Sequence, residues 1–178
     1  MLNNLITSRT RIRLLKKFFL NSSTKAHLRG LATEFGESSN SIRLELNRFE
    51  KAGLLTSFRD KNRKLYQANK NHPFYNDIHN IVMKETGLDT VIDKVIQRAG
   101  KLLSVYLTGD FACGRDGNVI ELVLVGSDID TGYLGRKVMQ AEDITGRKVN
   151  YTLCHPDEAE RHLNEYKPEE LLLLWQKD

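Results

Sequence analysis

Between Ser8 and Ala68 the apolar residues fall into three short helical stripes followed by two extended segments, an order that admits few folds. Ile12, Leu15, Phe18 and Phe19 recur at helical spacing behind Ser8 and Thr10, both able to cap, and predict a helix over about residues 8–20. Leu28, Leu31, Ala32 and Phe35 predict a second helix from about Lys25 to Phe35. Gly36 ends it, because a residue without Cβ reaches the left-handed conformation at a helix C-terminus. Ser38, Ser39 and Asn40 offer N-caps for a third helix running to Lys51, with Ile42, Leu46 and Phe49 on one buried stripe. Two extended segments, Thr56 to Arg59 and Arg63 to Ala68, flank the polar tip Asp60-Lys61-Asn62 and predict a β-hairpin.

The charges are divided as sharply as the pattern. Residues 1–72 carry 15 Lys and Arg against 5 Asp and Glu, a net +10; residues 73–178 carry 12 against 18, a net −6, and together they give the chain's +4. A basic half joined to an acidic one points to a nucleic-acid module in the first half, the alternative being a basic surface with no partner. Arg9, Arg11, Arg13, Lys16 and Lys17 fall mostly on the outward face of the first helix and read as solvated surface. The outward face of the third helix carries Asn40, Ser41, Arg43, Asn47 and Arg48, with Ser39 at its start. Short polar groups at a helix N-terminus allow close approach to DNA, where backbone N–H groups meet a phosphate and side chains reach base edges in the major groove. Arg43 and Asn47, one turn apart, are the expected base readers. Arg59, Lys61, Arg63 and Lys64 on the hairpin, against a lone Asp60, are expected to press on the phosphate backbone or the minor groove.

The run LATEFGESSNSIRLELNRFEKAGLLTSFRDKNRKLYQAN resembles the winged helix-turn-helix of the ArsR-like bacterial regulators. In that family a Leu-Ala pair marks the second helix, a Ser/Asn-rich start and an Ala-Gly-Leu end mark the recognition helix, and the basic hairpin is the wing. The resemblance covers about Ile12 to Asn69 and implies a transcriptional regulator that binds double-stranded DNA. The Cys and His residues of the metal sensors have no match, so no metal response is implied. Winged helices also serve as protein-interaction modules, and the +10 charge favours DNA here.

His72-Pro73 interrupts the pattern, and Pro73 turns the preceding residue away from helix. Phe74, Ile78, Ile81 and Val82 predict a helix to about Thr86. After Gly87 a second runs from Leu88 to Ala99, with Val91, Ile92, Val95 and Ile96 inward. The first of these would pair two copies into a homodimer, as winged-helix proteins do to read two half-sites; packing within the chain accounts for the same stripe. From Leu102 the period becomes that of strands: Leu102 to Thr108, Val119 to Val125 and Lys148 to Cys154. A helix is expected over Thr131 to Thr145, another from Pro156, and an edge strand over Leu171 to Trp175. A small mixed sheet with helices over one face is the expected architecture.

The segment KLLSVYLTGDFACGRDGNVIELVLVG, with ITGRKVNYTLCHPDE, resembles the minimal nucleotidyltransferase domains. That family places Gly-Ser after one strand and alternate carboxylates on the next, because two divalent ions must be held by same-facing acids. Gly109 matches the Gly, Asp110 stands in place of the Ser, Val119 takes the first acidic position, Glu121 matches the second and Asn150 lies near a third. One carboxylate does not chelate two Mg²⁺ ions, and an Asp aimed at phosphates repels them. The resemblance therefore implies a vestigial nucleotide site at Gly109, Asp110 and Glu121, with no catalytic residue, metal or cofactor, in a domain that dimerises, senses a nucleotide-like ligand or binds a protein partner. The alternative is an active metal-dependent nucleotidyltransferase acting on protein or RNA, with Glu121 as ligand aided by Asp110 or Asp128. Ser127-Asp128-Ile129-Asp130 imitates the missing acidic motif, but it follows the strand and precedes a helix, where Ser and Asp cap. The whole is thus expected to be a two-domain α/β chain: a winged helix-turn-helix over residues 1–72, a helical linker or dimerisation region over 73–100, and a small mixed α/β nucleotidyltransferase-like domain over 101–178. Two cysteines give no disulfide framework, and no apolar run approaches a membrane span, so a cytoplasmic setting without membrane attachment is expected.

Overall fold

In the computed structural model, which describes residues 2–96 and 101–177, a single turn, α1 (Leu2–Leu5), precedes α2 (Arg9–Phe19). Ser8 starts α2 by accepting from the Arg11 N–H, and Ile12, Phe18 and Phe19 are buried as the periodicity requires. The second helix, α3, spans Leu28–Phe35, shorter than expected at its start. Ala26–His27 instead form a short strand, β1, paired antiparallel with Tyr66 and Leu65 of the hairpin. The reason is a sheet-edge effect: a two-stranded ribbon leaves backbone N–H and C=O groups open, and an extended dipeptide fills one edge. Gly36 closes α3 in the left-handed conformation, at φ 63.

Ser38 opens α4 (Ser39–Lys51) by accepting from the Ser41 N–H, and Ile42, Leu46 and Phe49 are buried along one stripe. The hairpin strands β2 (Leu55–Asp60) and β3 (Arg63–Ala68) meet in register from Leu55 opposite Ala68 to Asp60 opposite Arg63, and the sheet order is β1-β3-β2. Next, α5 (Tyr75–Thr86) turns its Val82 face inward, His79 Nδ1 donates to the Phe19 carbonyl at 2.7 Å, and the Tyr75 ring lies against Phe19 and His79.

The chain forms two compact units, Met1–Glu85 and Thr86–Asp178. The stretch expected as a linker is therefore shared: α5 packs within the first unit, and α6 (Leu88–Ile96) packs on α8 (Thr131–Thr145) in the second. The expected continuation of α6 to Ala99, and the inward positions expected for Val95 and Ile96, fall outside the described residues and side chains.

The second unit is built on strands β4 (Lys101–Thr108), β5 (Val119–Ser127), β6 (Lys148–Cys154) and β7 (Leu172–Gln176), in the order β6-β5-β4-β7. β5 and β6 are parallel and joined through α8, whereas β4 runs antiparallel to β5 and β7, so the sheet is mixed. The Leu-rich tail is an edge strand, as expected. Between β4 and β5 lies one short helical turn, α7 (Gly109–Ala112). Helical cover is not confined to one face. Leu122, Val123, Leu124 and Val125 are consecutive and all buried, which an alternating strand achieves only with cover on both sides. On one side Ala159 and Leu163 of α9 (Pro156–Leu163), with Tyr166, pack on Val123, Val125 and Cys154. Asp130 caps α8 by accepting from the Tyr133 N–H at 2.8 Å, and Asp128 pairs with Lys101, so this acidic run serves the turn and the helix start.

Gly126 sits where the register of β4 shifts beside Leu102. A Cβ there would lie 2.6 Å from the Lys101 carbonyl oxygen and 2.9 Å from the Leu102 Cα, both backbone atoms. Gly126→Ala therefore costs at least about 1–3 kcal/mol, the range for forced overpacking, measured as a shift of the chemical-denaturation midpoint. Wild-type stability in this variant would mean that the two strands do not approach so closely.

Candidate nucleic-acid interface and sheet cleft

Four of the five acidic side chains in residues 1–72 are occupied in holding helices and hairpin together. Glu45, buried on α4, receives the Arg11 guanidinium at 2.9 Å and the Arg48 guanidinium at 2.7 Å, tying α2 to α4. Arg13 reaches Glu37 and donates to the Phe35 carbonyl, and the buried Lys17 pairs with Glu34 at 2.8 Å, tying α2 to α3. The cationic face of α2, expected as solvated surface, is thus partly an internal clasp. Glu50, near the end of α4, accepts from Ser57 on β2 and from Lys64 on β3, fixing the hairpin to the helix.

These pairings sort the expected DNA contacts. Arg48 and Lys64 carry ion pairs with Glu45 and Glu50, which offset part of their charge. Arg43, Arg59, Lys61 and Arg63 are exposed and have no ion pair among the described residues. Ser39 and Asn40 are exposed on the first turn of α4, and Ser41 is half-buried against Thr10 and Glu37. Arg43, Asn47, Arg63 and Lys64 line one open cleft of about 630 Å³ between α4 and the hairpin; Arg59 and Lys61 are outside its lining. The cleft also brings in His27, Arg29, Asn62 and Tyr66. His27 and Arg29 were missed by sequence reading, because they join the cleft only through the pairing of β1 with β3.

Electrostatics make the scaffold pH-sensitive. Burial raises the Glu45 carboxyl, but hydrogen bonds and charge from Arg11 and Arg48 outweigh it and hold the group below its ordinary value of 4.5. The Lys64 ammonium, helped by Ser57, likewise lowers Glu50, and Glu50 raises Lys64 in return.

In the second unit the expected vestigial site divides. Gly109 and Glu121 line a cleft of about 280 Å³ with Thr108, Val123, Asn150, Thr152 and Tyr166. Asp110 is outside this lining and is bound by Arg115 at 3.0 Å. Two-ion chemistry does not fit these residues: Val119 and Asn150 flank Glu121 where further carboxylates would stand, and among the described residues no group of three His, Cys, Asp or Glu is placed to hold a metal. His155 caps α9 by accepting from the Asp157 N–H. No helix among the described residues is long and apolar enough to cross a membrane.

No protein-family model matches the sequence, and no curated protein matches it. Among solved structures, a candidate nucleotidyltransferase from Sulfolobus solfataricus is similar over 53% of this chain and 86% of that one, at 19% identity and a TM-score of 0.33. At that level neither its fold nor its activity transfers to this chain.

A lowered carboxyl stabilises the fold above its unfolded value and loses that contribution as pH falls through the lower folded value. Glu45→Gln is thus expected to lose about 1–3 kcal/mol at pH 7, and the gap to wild type to close as pH drops from 4.5 downward. Urea denaturation followed by circular dichroism across that range measures it; a gap independent of pH would contradict the assignment.

Proposed function

We propose that the first unit is a winged helix-turn-helix and that the protein is a transcriptional regulator binding double-stranded DNA in a sequence-specific way. What carries this reading is the cleft between α4 and the hairpin, where Arg29, Arg43 and Arg63 converge with no acidic partner among the described residues. Exposed guanidinium groups grouped on one helix and one hairpin suit phosphates along a groove and base edges within it. Arg43 and Asn47 read bases, Ser39, Asn40 and Ser41 meet a phosphate at the start of α4, and Arg59, Lys61 and Arg63 hold the backbone. Arg48 and Lys64 serve first as supports of the interface.

Selection of genomic fragments with the purified protein should return one site class, lost or altered in Arg43→Ala. If about six phosphates are neutralised, log K falls with log salt at a slope of about −5. Arg63→Gln should make that slope shallower by about one unit, whereas Lys64→Gln, whose charge is already offset by Glu50, should weaken binding with a smaller change of slope. Binding indifferent to salt, or no binding to any fragment, would sink the proposal.

The partner in this reading is a second copy, paired through α5. Phe74, at 63% exposure, and Ile81, at 44%, lie on a stripe with Ile78 that is separate from the Val82 face. An antiparallel pair about Ile81 would set Asp77 of one copy near Lys84 of the other. Sedimentation velocity should then give a dimer for the wild type and a monomer for Ile81→Glu; a monomeric wild type would remove dimerisation from the proposal. The second unit, in this reading, has a nucleotidyltransferase-like fold without its chemistry and supplies ligand sensing or partner binding.

A further inference from the structure

On the side of the sheet where α9 packs, cover extends over Val123, Val125 and Cys154 and leaves the start of β5 open. There the register places Thr108 of β4 and Asn150 of β6 on either side of Glu121, a polar row across three neighbouring strands. Thr152 continues the row on β6, and Tyr166 forms a wall. The cleft they line, about 280 Å³, falls just below the roughly 300–1,000 Å³ typical of drug-sized ligands and so suits a smaller molecule.

The charge in this cleft has one sign. Glu121 is its one charged lining residue. Three nearby basic side chains are paired with acids outside the cleft: Arg115 with Asp110 at 3.0 Å, Arg147 with Asp116 at 2.8 Å, and Lys148 with Glu142 at 3.2 Å. Gly109, at φ 66, forms the floor beneath the carboxylate: a Cβ there would fall 1.7 Å from Glu121 Oε2. Any side chain at 109 would thus displace the carboxylate from its place. A phosphate brought here would meet a negative charge and no cation among the described lining residues, so the cleft favours a cation over the phosphates of a nucleotide.

We infer that this cleft binds a small organic amine, with the protonated amine on the Glu121 carboxylate and the ligand's other polar groups on Thr108, Asn150 and Thr152. A charge-assisted hydrogen bond is the strongest contact such a site offers, and the tyrosine ring adds an apolar and cation-attracting wall. The inference stands whether or not the first unit binds DNA.

Isothermal titration of the full-length chain tests it with four probes: glucosamine and spermidine as amines, glucose as a neutral control and AMP with Mg²⁺ as an anionic one. At least one amine should bind saturably while glucose and AMP do not. Glu121→Gln should weaken that amine by about tenfold or more, the value of a charge-assisted hydrogen bond. Asn150→Ala, which keeps the carboxylate, should weaken it less, and both variants should retain wild-type circular dichroism. Arms with the two amines separate an amino sugar from a polyamine. Absence of binding by both amines, amine binding unchanged in Glu121→Gln, or preferential binding of AMP would overturn the assignment.

Discussion

The buried Glu45 carboxylate is the point on which the first unit turns. It accepts from Arg11 of α2 and from Arg48 one turn along its own helix, so two helices with separate apolar stripes are held in one relative position by a charge taken out of water. Removing a carboxylate from water is unfavourable, and it is tolerated here because two guanidinium groups and the Ser8 hydroxyl satisfy its oxygens. Glu34, Glu37 and Glu50, which are more exposed, add further ion pairs between the elements. With acids so scarce in residues 1–72, their placement decides which cations remain available at the surface. They neutralise the inner face of α2 and the base of the hairpin, and leave the cleft side of α4 basic. The electrostatic character of the candidate interface is therefore set by where the scaffold places its carboxylates.

Much of this fold was legible from residue order because local signals agreed with one another. The Ser8 and Ser38 caps, the Gly36 stop and the stripe Ile42, Leu46, Phe49 each depend on neighbours within a few positions. What was not legible depends on distant partners. Ala26-His27 continues the helical pattern of Leu28 and Leu31, yet it lies extended because β3 offers an edge some forty residues later. Lys17 is indistinguishable in sequence from a solvated lysine, and its burial follows from Glu34 lying across from it. His27 and Arg29 enter the candidate interface by the same long-range route.

In the second unit the limit was of another kind. Glu121 could be singled out by its likeness to a motif position, but what it can do depends on the residues beside it in neighbouring strands. Those are Thr108 and Asn150, separated from it in sequence by a turn and by a whole helix. The alternation of β5 gave its faces, whereas the double cover of Leu122 to Val125 emerged from the packing of α9, a short helix with no buried residue of its own. Asp110 is adjacent to Gly109 in sequence, yet it turns to Arg115.

This separation of Asp110 from Glu121 bears on what the unit can do as chemistry. Two-ion transfer needs carboxylates on the same face close enough to share metal ions, and a strand provides that through positions two apart. Val119 and Val123 occupy those positions around Glu121, and the cross-strand neighbours are a hydroxyl and an amide. The second acidic run, Ser127 to Asp130, is committed to a turn and a cap at the far end of the same strand. A lone carboxylate among neutral donors and acceptors does not polarise a phosphate, but it does discriminate between a cation and an anion. Preference for a cation over an anion is the chemistry that this arrangement of residues would support.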